Sequence, residues 1–237
     1  MPTGEAVADG VEAVLRRHLE ASLKRLGTDR VDLYYLHRVN PDVPVEDVAG
    51  GMGRLIDDGL IRGWGLSQVP VTVIERAHAV TALSAVQNIY SMVERGVEAE
   101  VIPYCEAHDI GLVPFSPIAS GLLSGRLTPH TRFEKNDDVR NWVPQLSREN
   151  LAANRPLIDL LADFAAAKRA TSAQISLAWM LHKYPHVVPI PGSKNKERIL
   201  ENLGAADVTL TDDEFARLQR ERQPRSEERR VGKECRS

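Results

Sequence analysis

The chain has 237 residues, 43% of them hydrophobic and 27% charged, which suffices for one sizeable core and is the balance of an ordinary globular protein. A formal net charge of -3 and a pI near 6.2 supply no attraction for nucleic acid or an anionic membrane surface. The two cysteines, Cys105 and Cys235, are too few for a disulfide framework or a zinc site, and no run of about 18 apolar residues could span a bilayer. The start, MPTGEAVADG, lacks the basic and apolar stretches of a secretory signal, so a cytoplasmic protein without metal, membrane or nucleic-acid partners is expected.

Val11, Val14, Leu15, Leu19, Leu23 and Leu26 recur at helical spacing and Gly27 follows as a left-handed stop, which predicts a first helix. The almost continuously apolar run VDLYYLH at 31–37 predicts a strand buried on both faces of a parallel sheet. A helix at about 46–58 ends at Gly59. Then follow a strand at 61–66, a helix from Pro70, a strand at 84–88, a helix near 99–108 and a strand at 111–115. A long polar loop is expected from about 118 to 150, with Trp142 either anchoring it or covering a ligand. Helices near 155–168 and 172–184, a strand at 187–190 and a helix from about 195 to 205 complete the order. Thr171 with Gln174, and Thr211 with Glu214, have the spacing of capping boxes.

About five strand-helix units therefore alternate, which means parallel strands with right-handed crossovers, in either a closed barrel or an open sheet. The first visible strand ends in LHRVNP with no glycine-rich phosphate loop, which favours the barrel. In a barrel the working groups stand at the C-terminal strand ends, and those ends are polar here: His37, Ser67 with Gln68, Gln87 with Asn88, and Phe115 with Ser116. On local pattern alone each has an ordinary alternative, a satisfied loop histidine, a turn former or a core aromatic. The segment Gly192 to Asn202 places Ser193, Lys194 and Arg198 around a predicted helix start, which suits either a bound phosphate or a solvated helix end.

Five segments, ASLKRLGTDRVDLYYLHRVNP, IRGWGLSQ, VQNIYSMVER, PFSPIASGLLSGR and IPGSKNKERILEN, together resemble the aldo-keto reductase family in order and spacing, from about residue 11 to 222. That resemblance implies an α/β fold of the (β/α)8 TIM-barrel type, extended NADP(H) as cofactor, and hydride transfer between nicotinamide and a small-molecule carbonyl, with the aldehyde or ketone reduced to an alcohol. It assigns His37 to the carbonyl of the substrate, and Ser67, Gln68 and Gln87 to the nicotinamide carboxamide. Phe115 would stack on the nicotinamide ring, and Ser116, Gly121, Leu122 and Leu123 would meet the pyrophosphate. Ser193, Lys194 and Arg198 would grip the 2′-phosphate, with Glu201 and Asn202 at the adenine. A regulatory nucleotide-binding module of the same fold and an unrelated phosphate-binding barrel isomerase remain alternatives.

The resemblance also implies a departure. The family's proton-donating Tyr, the Lys beside it and the Asp that orients that Lys lie near the ends of the second and third strands, whereas this chain begins just before the helix preceding the fourth. Strands one to three are thus expected to be missing, the barrel to be incomplete, and this chain to be inactive where the intact parent is active. A partial barrel domain is expected over 1–222. Residues 223–237 read as a disordered tail, and Arg225 to Ser237 resemble the translation of a common sequencing-adapter read, which would leave Cys235 without biological meaning.

Overall fold

The structure, a computed structural model, describes residues 10–128, 130–133, 139–184 and 186–220. The tail expected to be disordered lies outside the described residues. In chain order the elements are α1 (Val11–Leu26), β1 (Val31–Leu36), α2 (Val45–Asp57), β2 (Ile61–Ser67), α3 (Val71–Val80), β3 (Ala85–Ile89), α4 (Val101–Ala107), β4 (Gly111–Phe115), α5 (Arg148–Ala153), α6 (Arg155–Lys168), α7 (Ser172–Lys183), α8 (Lys196–Leu203) and α9 (Asp212–Arg220). The chain divides into two compact units. One comprises residues up to Ile89, Gly96–Phe115 and His186–Val188, and the other Tyr90–Arg95, Ser116–Pro185 and the residues from Pro189 onward.

The first unit is a parallel sheet in the order β1-β2-β3-β4, each strand reached through a helix. Partners in a parallel ladder share a face, and alternate residues point to opposite faces. Tyr35 pairs with Gly65, Gly65 with Ala85 and Ala85 with Gly111, while Ser67 pairs with Gln87 and Gln87 with Val113. One face therefore carries a row of small residues under Tyr35, and the next row up carries Ser67 and Gln87. The opposite parity, Trp64, Leu66 and Val86, is fully buried. Trp64 donates its indole N–H to the carbonyl of Thr81 at 3.2 Å. Helix α1 meets α2 at Gly51, where an added Cβ would lie 2.8 Å from Leu15 Cδ1. Arg16 with Asp58, and Arg54 with Glu12, join the same two helices. The left-handed stops at Gly27 and Gly59 are present, with φ of 69° and 72°.

In the second unit α7 is buried along most of its length, and Trp179 at its centre is 0% exposed. Its indole N–H donates to Gln219 Oε1 at 3.1 Å, and Phe215 stacks nearby at 6.4 Å, which fastens α9 to α7. The Thr171–Gln174 capping box forms, and Thr211 and Glu214 exchange the equivalent bonds at the start of α9. Lys168 and Glu214, 2.6 Å apart, tie α6 to α9.

Two expectations are corrected. The segment at 187–190 is not a strand: Val187 forms a parallel bridge with Leu112, and Val188 donates to the Leu112 carbonyl at 2.9 Å. Pro189 and Pro191 remove two N–H donors from this stretch, so it cannot serve as a strand paired along both edges. The expected loop at 118–150 holds 3-10 segments at Ala119–Ser124, Val139–Trp142 and Pro144–Leu146, and α5, whose start is capped by Ser147. Turns this short carry no periodicity to read. Trp142 is 80% exposed and so is not buried against a core. Among the described residues no helix is long and apolar enough to cross a membrane.

A pH dependence follows from His78. Its Nδ1 accepts the backbone N–H of Leu83 at 3.1 Å, closing the turn from α3 to β3, and its ring meets His108 edge-on at 5.6 Å, with Tyr104 stacked on His108. Burial, and then the neighbouring His108, hold His78 below the ordinary 6.5. The unfolded chain therefore takes up the proton first. The stability carried by this bond is complete above the unfolded value and is lost as pH falls through the lowered one. Glu46 and Glu214 are held below 4.5 by Arg76 and Lys168, so they act only in a more acid range. Urea midpoints should decline from about pH 7.5 to about pH 5.5, and the decline should shrink in His78→Gln, which accepts but does not titrate. An unchanged slope in that variant would remove His78 as its cause.

Candidate functional site

The register of the sheet determines what stands together at the C-terminal ends of its strands. Ser67 and Gln87 pair directly, and His37 follows Leu36, the last residue of β1, which pairs with Leu66. Three of the expected site residues thus stand at the ends of three adjacent strands. Phe115, paired with Ile89, is on the same face one row further along. His37 is exposed, whereas Ser67 is only 3% exposed.

Ser67 accepts a hydrogen bond on Oγ from Arg38 Nη1 at 3.2 Å, and the same nitrogen donates to the His37 carbonyl at 2.7 Å. Arg38 was not among the residues singled out from the sequence. Its bond is made to a residue 29 positions away, and only the neighbouring position of His37 hinted at it. Tyr35, expected from the sequence only as part of the strand before His37, is a second such residue. It lies over Gly65, where an added Cβ would sit 2.5 Å from Tyr35 Cε1 and 2.7 Å from the Ala85 carbonyl. Its hydroxyl is buried without a hydrogen-bond partner of good geometry, although the Gln87 amide lies close enough to offset in part the rise that burial causes in its pKa. Burial raises Tyr34 as well.

Gln68 has φ of 55°, donates its N–H to the Gln87 carbonyl at 2.9 Å and accepts the Ile89 N–H on Oε1 at 2.8 Å. It therefore caps the end of β3, and its amide nitrogen is the part left for a ligand. Asn88 has the opposite parity to Gln87 and is 5% exposed, with Oδ1 unpartnered.

The remaining expected residues belong to the second unit. Ser116 Oγ lies 3.4 Å from Ser120 Oγ in a bend where Ser116, Ala119 and Ser120 all have positive φ. Gly121 and Leu123 give their N–H groups to the Ile118 carbonyl, and the side chains of Leu122 and Leu123 are buried, so this stretch serves the core first. At the start of α8, Asn195 Oδ1 accepts the Arg198 N–H at 2.9 Å, and Ser193 Oγ accepts the Asn195 N–H at 3.1 Å. Lys194 and Arg198 are exposed and have no carboxylate partner among the described residues. Glu201 receives Arg126 at 3.4 Å, and its backbone carbonyl accepts from Gln174 at 2.8 Å, while Asn202 borders an apolar groove of about 260 Å³ with Leu177, Pro191, Ile199 and Leu203.

The model of the Aldo/keto reductase family matches residues 1–222. The chain belongs to the aldo/keto reductase family. Solved structures of that family agree. A thermostable aldo-keto reductase in complex with the inhibitor epalrestat is 31% identical, with a TM-score of 0.70, over 86% of this chain and 65% of that one. The glycerol dehydrogenase of Gluconobacter oxydans is 25% identical, with a TM-score of 0.82, over 87% of this chain and 63% of that one. An aldo/keto reductase from Klebsiella pneumoniae, in complex with NADP and acetate, is 28% identical, with a TM-score of 0.68, over 91% of this chain and 67% of that one. The chain thus spans about two thirds of the length of these aldo/keto reductases. Its fold is the α/β class of the family's (β/α)8 TIM barrel, incomplete, with four parallel strands among the described residues.

Substituting Gln68 by Ala leaves the Ile89 N–H without its acceptor and should cost about 1–2 kcal/mol in urea unfolding. No loss of stability would mean that water replaces the Gln68 amide and that the residue has no structural task.

Proposed function

We propose that this chain carries the NADP(H)-holding residues of an oxidoreductase that reduces the carbonyl of a small aldehyde or ketone to an alcohol. The observation that carries the proposal is the row of His37, Ser67 and Gln87 across the ends of three adjacent parallel strands. A row of this kind presents an imidazole, a hydroxyl and a carboxamide to one flat polar ring system. The Klebsiella pneumoniae relatives in complex with NADP and NADPH indicate the cofactor class.

The residues present fit that cofactor. Ser67 and Gln87 offer a hydroxyl proton and an amide to the nicotinamide carboxamide, with Gln68 adding its amide nitrogen. Phe115 supplies an aromatic face on the same side of the sheet, and Ser116 with the Gly121–Leu123 stretch would face the pyrophosphate. Ser193, Lys194 and Arg198 surround a helix start. The guanidinium fork of Arg198, free of a carboxylate among the described residues, matches a phosphate better than a hydroxyl, which selects NADP over NAD. Glu201 and Asn202 border the adenine side. NADPH, when bound, supplies the hydride. His37 would donate a hydrogen bond to the substrate oxygen and so draw electron density away from the carbonyl carbon.

Reduction also needs a proton for the developing alkoxide. Tyr34 and Tyr35 do not meet that need, because burial raises both hydroxyls when a donor must be made more acidic. The purified 237-residue polypeptide is therefore expected to bind NADPH, followed by quenching of its tryptophan fluorescence, without turning over aldehydes. NADPH should bind at least about tenfold more tightly than NADH, and Arg198→Met with Lys194→Met should remove the difference. A folded chain that binds neither nucleotide would overturn the cofactor proposal, and sustained turnover would overturn the expectation of inactivity.

A further inference from the structure

We infer that Arg38 is a positioning residue that sets the direction of the Ser67 hydroxyl and thereby the grip on the nicotinamide end of the cofactor. The inference rests on the cofactor proposal above. A guanidinium has only donors, so in the 3.2 Å contact between Arg38 Nη1 and Ser67 Oγ the serine oxygen accepts. A serine hydroxyl carries one proton, and with Arg38 occupying a lone pair that proton points elsewhere. Ser67 is 3% exposed, and the bond to Arg38 is the one its side chain makes among the described residues, so no other protein group claims the proton.

Arg38 is itself fixed. The same Nη1 donates to the His37 carbonyl at 2.7 Å, which anchors the guanidinium to the strand end that presents the His37 ring. The positive charge also polarises the Ser67 O–H bond and makes it a stronger donor. Ser67 is thus a donor aimed along the row that it shares with Gln87, and the complementary group is a carbonyl oxygen. The carboxamide of a nicotinamide offers one. Gln87, whose amide lies beside Tyr35, remains for the carboxamide nitrogen. Arg38 does not touch the ligand in this scheme and acts through Ser67.

The test compares NADPH with adenosine 2′,5′-bisphosphate, which has the adenine and 2′-phosphate but no nicotinamide, by fluorescence and calorimetry on the purified chain. Arg38→Met should weaken NADPH by about tenfold and leave the bisphosphate unchanged. In a Ser67→Ala background the same substitution should have no further effect, and Arg38→Lys, which keeps a donor and a charge, should restore part of the affinity. An equal loss for both ligands would overturn the inference, since it would place Arg38 on a phosphate or in the fold. A full loss that persists without Ser67 would overturn it too, by showing that Arg38 acts directly. If the unsubstituted chain binds neither ligand, the cofactor proposal falls and this inference with it. If it binds both and Arg38→Met changes nothing, only this inference falls.

Discussion

Everything at the strand ends depends on the register between β1 and β2, and that register depends on the absence of a side chain at Gly65. Tyr35 occupies the space above this glycine, and an added Cβ would lie 2.5 Å from its ring and 2.7 Å from the Ala85 carbonyl. A ring can turn aside at some cost, but a ladder carbonyl cannot move without breaking the sheet. The row from Gly65 through Ala85 to Gly111 is small throughout, and Tyr35 fills the space over Gly65. A slip of one residue between β1 and β2 would put Tyr35 and Gly65 on opposite faces and take the end of β1, with His37, out of line with the Ser67–Gln87 pair.

The charges divide by task. Arg76 meets both oxygens of Glu46 at 2.7 and 2.8 Å, Lys168 holds Glu214, and Arg16 reaches Glu12 and Asp58. Apart from Arg16–Glu12, which lies within α1, each of these pairs joins two helices. Being partly exposed, each adds little to stability, but those between helices fix how two elements meet. Among the described residues Lys194 and Arg198 join no carboxylate, although acidic side chains outnumber basic ones in the chain by 33 to 30. Cations left unpaired in an acidic chain, beside a helix start whose amides already favour anions, form a local basic patch that net charge conceals.

What the sequence disclosed was local. The stops at Gly27 and Gly59 and the boxes at Thr171 and Thr211 depend on residues within a few positions, and their elements formed where periodicity placed them. The run VDLYYL marked a strand but could not say which face Tyr35 would take, because a strand with apolar residues on both sides has no alternation to read. Leu122 and Leu123 stood in a motif that suggested ligand contact, yet their side chains are core, so only backbone could serve there. Arg38 was illegible for a different reason. Its partner is fixed by strand register and by a rotamer, neither of which leaves a trace at the residue itself.

Backbone strain supplies a further argument for where ligand contact belongs. Among the described residues six non-glycine residues have positive φ: Gln68, Asp109, Ser116, Ala119, Ser120 and Arg169. Arg169 caps α6, and Asp109 follows α4, places where a left-handed residue is an ordinary way to end a helix. The other four end no helix. Gln68 follows β2 directly, Ser116 follows β4, and Ala119 and Ser120 come within the same bend. A left-handed conformation costs an L-residue roughly 1–2 kcal/mol, and glycine would avoid the cost. Glycine would also forgo a side chain at each place: the Gln68 amide that caps β3, and the Ser116 and Ser120 hydroxyls that approach each other at 3.4 Å. Strain is thus concentrated in the segments that leave the C-terminal ends of strands, where a barrel of this class keeps its ligand contacts, and it is tolerated there because polar groups must turn sharply out of a sheet whose own ladder would hold them straight.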